Sequence, residues 1–331
     1  MPLLLTEDHV RELLTMPMAI EAVQQAFTGM NHGTFLLHSR RRFYTPNNTF
    51  LHYMGAADLT SGYEGMKIYS YAKGTIRFLM LLYRWDTGEL VAMMEADWLG
   101  RVRTGAASGV ATRFMARSDA RTVGIIGTGS QAPAQIEAVC AVRPIEQVRV
   151  FGRNEEKKRE FARSMSQLLG VPVEPAESAE AAVREADIVI TMTKAAHPVV
   201  EAGWLTPGVH INAAGNSMAH KAEIDAETVR RAGVIAADSV EQAKIEAGDL
   251  IQAFGGDAGA WSRVSNLAQI VGGEVPGRHA LSEITLFKSN GVAIEDVAVA
   301  ARIYELARAR GMGRDLPLFE KSPRATPSAA V

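Results

Sequence analysis

The sequence predicts an α/β protein built around a doubly wound parallel sheet, and three observations carry that reading. From Arg121 onward, short apolar runs alternate with helical stretches. The strands fall at Val123–Ile126, Gln147–Gly152, Ile188–Thr191, His210–Asn212 and Val234–Ala237, with helices at Glu155–Leu169, Ala179–Glu185 and Ile224–Ala232; alternation of this kind makes parallel sheets. Next, the first of these strands turns through glycines directly into an apolar helical pattern, Ala134 to Val142. Lastly, residues 35–95 have another texture. Phe50–Met54, Gly65–Tyr71 and Arg77–Trp85 are rich in aromatic and branched residues, and Asp86-Thr87-Gly88 marks a hairpin into Leu90–Met94.

The remaining elements follow in order. Thr6 caps a helix through about Leu14, with Glu7 and Asp8 in its first turn. Pro17 suits the first turn of a second helix carrying Ile20, Val23, Ala26 and Phe27. Trp98–Ala116 reads as a helix rich in small residues (Gly105, Ala106, Ala107, Ser108, Gly109, Ala111), which permit close packing against another element. Val292–Ala309 is a long amphipathic helix that returns to the first part of the chain. This divides the chain into 1–116 with 292–319, and 117–291. The tail 320–331 is rich in Pro, Ser and Ala and is expected to be disordered. No internal repeat is evident.

Composition excludes several classes. A net charge of −2 gives no reason to expect a nucleic acid or a membrane surface as partner. No apolar run is long enough to span a bilayer and no secretory signal is visible, so a cytoplasmic protein is expected. Cys140 is the only cysteine, which rules out an internal disulfide or a cysteine-rich metal site; it reads as an inert buried thiol. No metal is expected.

The glycine turn carries the first chemistry. Arg121–Ala132 reads RTVGIIGTGSQA, in the strand–turn–helix order of a dinucleotide-binding (Rossmann) fold. Gly127 allows the tight turn, Gly129 lets a pyrophosphate approach the backbone, and Ala132 lets the helix pack close to the strand. Thr128, Ser130 and Gln131 complete the loop, whose free N–H groups and helix dipole suit an anion. Selectivity is read at the end of the second strand, where an acidic residue would select NAD(H). Gly152-Arg153-Asn154 stands there instead, and Arg153 suits a 2′-phosphate. NADP(H) is therefore favoured, with NAD(H) possible if Glu155 or Glu156 folds back to the ribose.

Five stretches now stand in a telling order: GMKIY (65–69), RVRTGAASGVAT (101–112), GIIGTGSQA (124–132), HINAAGNSMAHKAEID (210–225) and EITLFKSNGVAIEDVAVA (283–300). Together they resemble the ornithine cyclodeaminase/mu-crystallin family, from about Leu4 to Leu318. The resemblance implies a dinucleotide domain and an N-terminal α/β domain that binds substrate, is completed by the C-terminal helix, and forms homodimers. It implies an enzyme that reduces or interconverts imino, keto and amino acids with a nicotinamide cofactor. Arg42 and Arg103 match carboxylate-binding arginines, as a guanidinium fork suits a carboxylate. Arg42 lies in Ser39-Arg40-Arg41-Arg42-Phe43, so Arg41 is a rival and a solvated basic edge is an alternative. Lys67 matches a lysine that faces substrate and can donate a proton or hydrogen bond to the imine nitrogen; the plain alternative is a lysine on an exposed strand face. Thr104, Thr191-Met192-Thr193, Asn216 and Ser289 match positions along the cofactor, and Asn290 and Gly291 lie beside substrate.

Two departures bear on reaction type. Where cyclodeaminases place a water-activating aspartate, this chain has Ser217, a poor base, as in the mu-crystallin branch. A cyclodeaminase-like Asp before the Ser289 turn is here Lys288. Both favour hydride transfer to a C=N carbon next to a carboxylate over redox-neutral deamination, which remains the alternative, as does a non-catalytic mu-crystallin-like binding protein. Arg77 is a further candidate. If it pointed inward, three arginines and a lysine would suit a dicarboxylic substrate; otherwise it faces solvent or pairs with Glu64 or Asp86.

Overall fold

The computed structural model describes residues 1–47 and 49–318. The tail expected to be disordered lies outside them. The first part of the chain holds β1 (Leu3–Leu5), α1 (Glu7–Leu13), α2 (Met16–Asn31), β2 (Phe35–Leu37), β3 (Arg41–Tyr44), β4 (Phe50–Asp58), β5 (Tyr63–Ala72), β6 (Thr75–Arg84), β7 (Leu90–Glu95) and α3 (Asp97–Met115). The second part holds β8 (Thr122–Ile126), α4 (Ala132–Val142), β9 (Gln147–Phe151), α5 (Glu155–Leu169), β10 (Val173–Pro175), α6 (Ala179–Val183), β11 (Ile188–Thr191) and β12 (His210–Ala213). It continues through α7 (Ala226–Arg231), β13 (Val234–Ala237), α8 (Val240–Glu246), α9 (Gly248–Phe254), β14 (Val264–Asn266), α10 (Leu267–Val271) and β15 (Thr285–Lys288). The chain then returns through α11 (Ala293–Arg310) and β16 (Arg314–Asp315) to the first sheet.

That first sheet has the order β16-β1-β7-β6-β5-β4-β2, with β3 also on β4. All its pairs are antiparallel except β1 with β7. One face is covered by α11, whose Val297 packs beside Gly65 of β5. The second sheet, β10-β9-β8-β11-β12-β15-β13-β14, is wholly parallel. β9 and β10 run outward on one side of the β8/β11 pair and β12 on the other, so the strand order reverses there, and β15 is inserted between β12 and β13. Ligands of such sheets bind in the crevice beyond the strand ends at that reversal.

The short strands β1, β10, β14, β15 and β16 and the helices α8, α9 and α10 are not marked by the sequence pattern, and β2 and β3 are covered only by the general strand texture of residues 35–95. Each is only two to seven residues long, too short for a hydrophobic period to declare itself. Strongly patterned elements match closely: α5 and β13 occupy the residues expected.

A continuous apolar core joins the two sheets, running from Leu5, Phe27 and Leu82 through Ala106 and Val110 of α3 to Ala138 and Phe287. The small residues of α3 have the packing role expected of them. A side chain at Gly105 would collide with the backbone of Ala134 in α4, so the two helices touch at their backbones. Cys140 on α4 is partly buried, and burial pushes its thiol up to about 11. Among the described residues no helix is long and apolar enough to cross a membrane.

Candidate active site

The glycine turn forms one wall of the site. Gly127 follows β8 with φ +117°, and a side chain there would strike the Met192 carbonyl at the end of β11. A β-carbon on Gly129 would meet nothing within 4 Å. The turn is thus tight where strands converge and open where the backbone faces the crevice, which is the shape a pyrophosphate requires. A cleft of about 500 Å³ runs from Thr128–Gln131 past Phe151–Asn154 to Met192–Ala195 and Gly215. Buried Glu223 shapes its far side by accepting hydrogen bonds from the Thr193 amide (2.6 Å) and hydroxyl (2.7 Å) and from the Gly215 amide (2.7 Å). Asn216 donates to the Ala195 carbonyl at 2.7 Å. The Thr191 hydroxyl is buried without a partner.

At the end of β9, none of the described residues lining the cleft is acidic. Arg153 is exposed there, and Lys194, which sequence reasoning passed over, is the cleft's other charged residue. Asn154 spends its side-chain oxygen capping α5, accepting from the Lys157 amide at 2.9 Å. Glu155 is held by Lys158 (2.8 Å) and Arg159 (2.9 Å), and so points away from a ribose role.

The first sheet reaches the parallel-sheet part through Arg42 and the Ser217 carbonyl and through Arg40 and the Asn290 and Gly291 carbonyls, and strand register decides which side chains arrive. Arg42, His52, Tyr69 and Phe78 are successive cross-strand partners on β3, β4, β5 and β6. Met54, Lys67 and Met80 form the next row, about 6.6 Å away at ~3.3 Å per residue. Cross-strand partners share a face, so Lys67, Arg42, His52 and Tyr69 stand on one side. His52 Nδ1 lies 2.7 Å from the Tyr69 hydroxyl, and Phe50 stacks on His52 with ring centres 4.4 Å apart. Burial, with Arg42 and Arg40 nearby, pushes His52 down to about 4, so it is neutral.

The same alternation corrects the expectation for Arg77. It pairs with Ser70, one residue out of phase with Tyr69, and is exposed on the opposite face. No described residue forms a salt bridge with it. Of the two rivals in the basic run, Arg41 is exposed, whereas Arg42 turns inward to Glu246. Arg40 joins it and was not foreseen: it pairs with Glu246 at 3.0 Å and donates to the Asn290 and Gly291 carbonyls at 2.8 and 3.0 Å. Arg40 was the bland member of a basic run; only the chain's entry into β3 turns it inward. Arg42 also reaches the Ser217 carbonyl at 3.4 Å.

Lys67 is fully buried, and both oxygens of Asp296 accept from its Nζ, at 2.6 and 2.7 Å. Arg103 projects from α3 to Glu295 (2.6 Å) and, through Nε, to Asp296 (3.0 Å). Burial and Arg103 push Lys67 down to about 8, against the pull of Asp296. Burial lifts Glu295 to about 8, opposed by Arg103. Asp238 accepts from the amides of Asn290 (2.7 Å) and Gly291 (2.5 Å) and from the Ser289 hydroxyl (3.3 Å), fixing that turn. Both polar side-chain atoms of Asn290 are buried without partners. The Thr104 hydroxyl donates back to the Gly100 carbonyl at 2.7 Å. Lys288 binds Asp249 (2.8 Å) and the Asn216 carbonyl (2.7 Å), a supporting position beneath the site.

Four cations (Arg40, Arg42, Lys67, Arg103) thus face four carboxylates (Asp238, Glu246, Glu295, Asp296). Because burial lifts Glu295 to about 8 and so keeps it largely protonated at neutral pH, the surplus is about one positive charge, short of the two that a dicarboxylic substrate would neutralise. Glu295 and Asp296 were legible as a signal, being two adjacent acids in the otherwise apolar run Gly291–Ala301. An interior helix face accepts such a pair only if it has partners.

A wholly parallel sheet with a glycine cradle at its strand-order reversal, joined to a second sheet that carries a buried lysine–arginine cluster from β5 and α3, defines a dinucleotide-dependent oxidoreductase. The chain belongs to the ornithine cyclodeaminase/mu-crystallin family, whose pattern it matches over residues 1–311. It is 42% identical over 242 residues to a Delta(1)-pyrroline-2-carboxylate reductase of Bacillus cereus, covering 73% of this chain and 74% of that one. The Thermococcus litoralis Delta(1)-pyrroline-2-carboxylate reductase, solved in complex with NADH and L-proline, superposes with a TM-score of 0.89 at 36% identity, over 95% of this chain and 100% of that one. An archaeal alanine dehydrogenase dimer with bound NAD superposes with a TM-score of 0.90 at 32% identity, over 96% and 99%. The family and fold implied by the sequence motifs are therefore those observed.

Proposed function

We propose that this protein is an NAD(P)H-dependent imino acid reductase, acting on a small cyclic imine that carries a carboxylate, of the Δ1-pyrroline-2-carboxylate type. The observation that carries the reading is the buried Lys67–Arg103 cluster together with the glycine cradle. The bound nicotinamide supplies a hydride to the imine carbon. Arg42 and Arg103 hold the carboxylate, as charge-assisted guanidinium–carboxylate pairs do. Lys67 donates a proton to the nitrogen. Phe50, Tyr69, Tyr71 and Phe78 sit along the same sheet face and offer an apolar wall for the ring. A surplus of about one positive charge, with Glu295 lifted to about 8, favours one carboxylate rather than two. Ser217, in place of a carboxylate, argues against a deaminating reaction. The test is oxidation of NADPH and NADH with Δ1-pyrroline-2-carboxylate, against proline formation from ornithine; robust proline formation without net cofactor change would instead identify a cyclodeaminase.

The cofactor preference is for NADPH, supported by exposed Arg153 and the absence of acidic residues among the described lining of the cleft. The chain acts as a homodimer through the outer face of its first sheet, where Tyr53, Met66 and Leu79 are exposed. A patch of large apolar side chains on an uncovered sheet face favours a protein partner, and the archaeal relative is a dimer. Sedimentation of wild type and Leu79→Arg tests this.

A further inference from the structure

Lys67 and Arg103 reach the site from different elements, β5 and α3, and neither is oriented by its own backbone. One carboxylate orients both. Asp296, in the first turn of α11, accepts Lys67 Nζ on both oxygens, at 2.6 and 2.7 Å, and forms an ion pair with Arg103 Nε at 3.0 Å that lacks hydrogen-bond geometry. The side chains of Lys67 and Asp296 are 2% and 1% exposed, so water does not loosen the clamp. An ammonium has three donors. Both Asp296 oxygens lie on one side of Nζ, which leaves its other side without a protein acceptor among the described residues. Glu295 does not duplicate this role, because it binds only Arg103 and its second oxygen is buried without a partner.

We propose that Asp296 is the positioning residue of this site: it keeps Lys67 protonated and aims a free N–H at the substrate nitrogen, while fixing Arg103 for the carboxylate. The inference rests on the reading of Lys67 as proton donor. When the Lys67 N–H bond breaks and the product N–H forms, Lys67 is left a neutral amine and Asp296 keeps only Arg103 as a charged partner. A proton from solvent then recharges the lysine. The charged groups facing Lys67 are Asp296 from α11, Arg103 from α3 and Arg40 ahead of β3. Asp296 is the one carboxylate among them. Its removal leaves burial and two arginines, all of which favour the neutral amine.

The experiment compares wild type, Asp296→Asn, Asp296→Glu and Lys67→Ala on Δ1-pyrroline-2-carboxylate across pH. ¹⁵N-lysine NMR titration of the cofactor-free protein gives a readout independent of turnover. In Asp296→Asn, the basic limb of kcat/KM and the Lys67 titration should both move down by about one pH unit or more. kcat should fall roughly 10- to 100-fold, with nicotinamide cofactor affinity unchanged. Asp296→Glu should restore the limb while kcat stays low, because the longer side chain displaces the ammonium. An unmoved limb and titration in Asp296→Asn would overturn the proposal, as would wild-type kcat in Asp296→Glu. If Asp296→Asn does not fold, Asp296→Glu decides alone by the same criterion. Wild-type activity in Lys67→Ala would overturn the underlying reading. An inactive Lys67→Ala with an unmoved Asp296→Asn limb would overturn only the positioning role.

Discussion

Glu246 of α8 holds two arginines of the other sheet at once, accepting from Arg40 at 3.0 Å on one oxygen and from Arg42 on the other. Gln242, one helical turn earlier, donates to the same carboxylate at 2.7 Å and accepts from the Arg40 amide at 3.1 Å. The segment entering β3 is thereby latched across the cleft to α8 and to the Ser289–Gly291 turn. Removing the shared carboxylate leaves one nearly buried arginine and one half-buried arginine uncompensated. Glu246→Ala should therefore cost about 3 kcal/mol in stability and raise KM for the imino acid more than it lowers kcat. Urea unfolding and steady-state kinetics check this; a neutral effect on both would mean that the latch does not hold the arginines.

The buried lysine sets the expected pH dependence. Burial and Arg103 bring Lys67 to about 8, and donation requires the protonated form. Activity should be present below that value and fall as pH rises through it. The kcat/KM profile for imine reduction should thus show a basic limb near pH 8. A limb only above pH 10, where an ordinary lysine titrates, would contradict the assignment. Lys67→Ala should lose roughly 100-fold or more.

The proposed preference for NADPH rests on Arg153. Its replacement by Ala should raise KM for NADPH by about 10-fold, the worth of one charge-assisted hydrogen bond, while leaving NADH kinetics nearly unchanged. Equal losses with both cofactors would remove Arg153 from 2′-phosphate recognition.

Arg77 stands on the opposite face of the sheet from Lys67. Arg77→Ala should therefore leave the ratio of activities on monocarboxylic and dicarboxylic imino acids unchanged. A selective loss on the dicarboxylate would show that this side chain reaches the site after all.

Ser217 contributes its backbone carbonyl to Arg42, and its side chain has no carboxylate's basicity. Ser217→Ala should retain most reductase activity, within about 10-fold of wild type. A loss comparable to that of Lys67→Ala would give the hydroxyl a direct part in the chemistry.

Much of this molecule is local information, and the sequence by itself determined that part. A strand, a glycine turn and a helix N-terminus are contiguous in the chain, so Thr122 to Val142 declares both a fold and an anion cradle. Lys67 and Arg103 were legible because each lies in a distinctive motif, and small residues in α3 announced a close helix contact. What the tertiary structure decided is pairing over long separations. Whether Arg40, Arg41, Arg42 or Arg77 enters the site depends on strand register, where a shift of one residue reverses the face. The carboxylates that balance the cations lie 192 to 229 residues away from Arg103 and Lys67 and 204 to 206 from Arg40 and Arg42. Nothing in a linear pattern specifies such partners, since α11 and α8 meet β5, α3 and β3 only when two sheets close on one core. The net charge of the site, and hence the kind of substrate it favours, is a property of that closure.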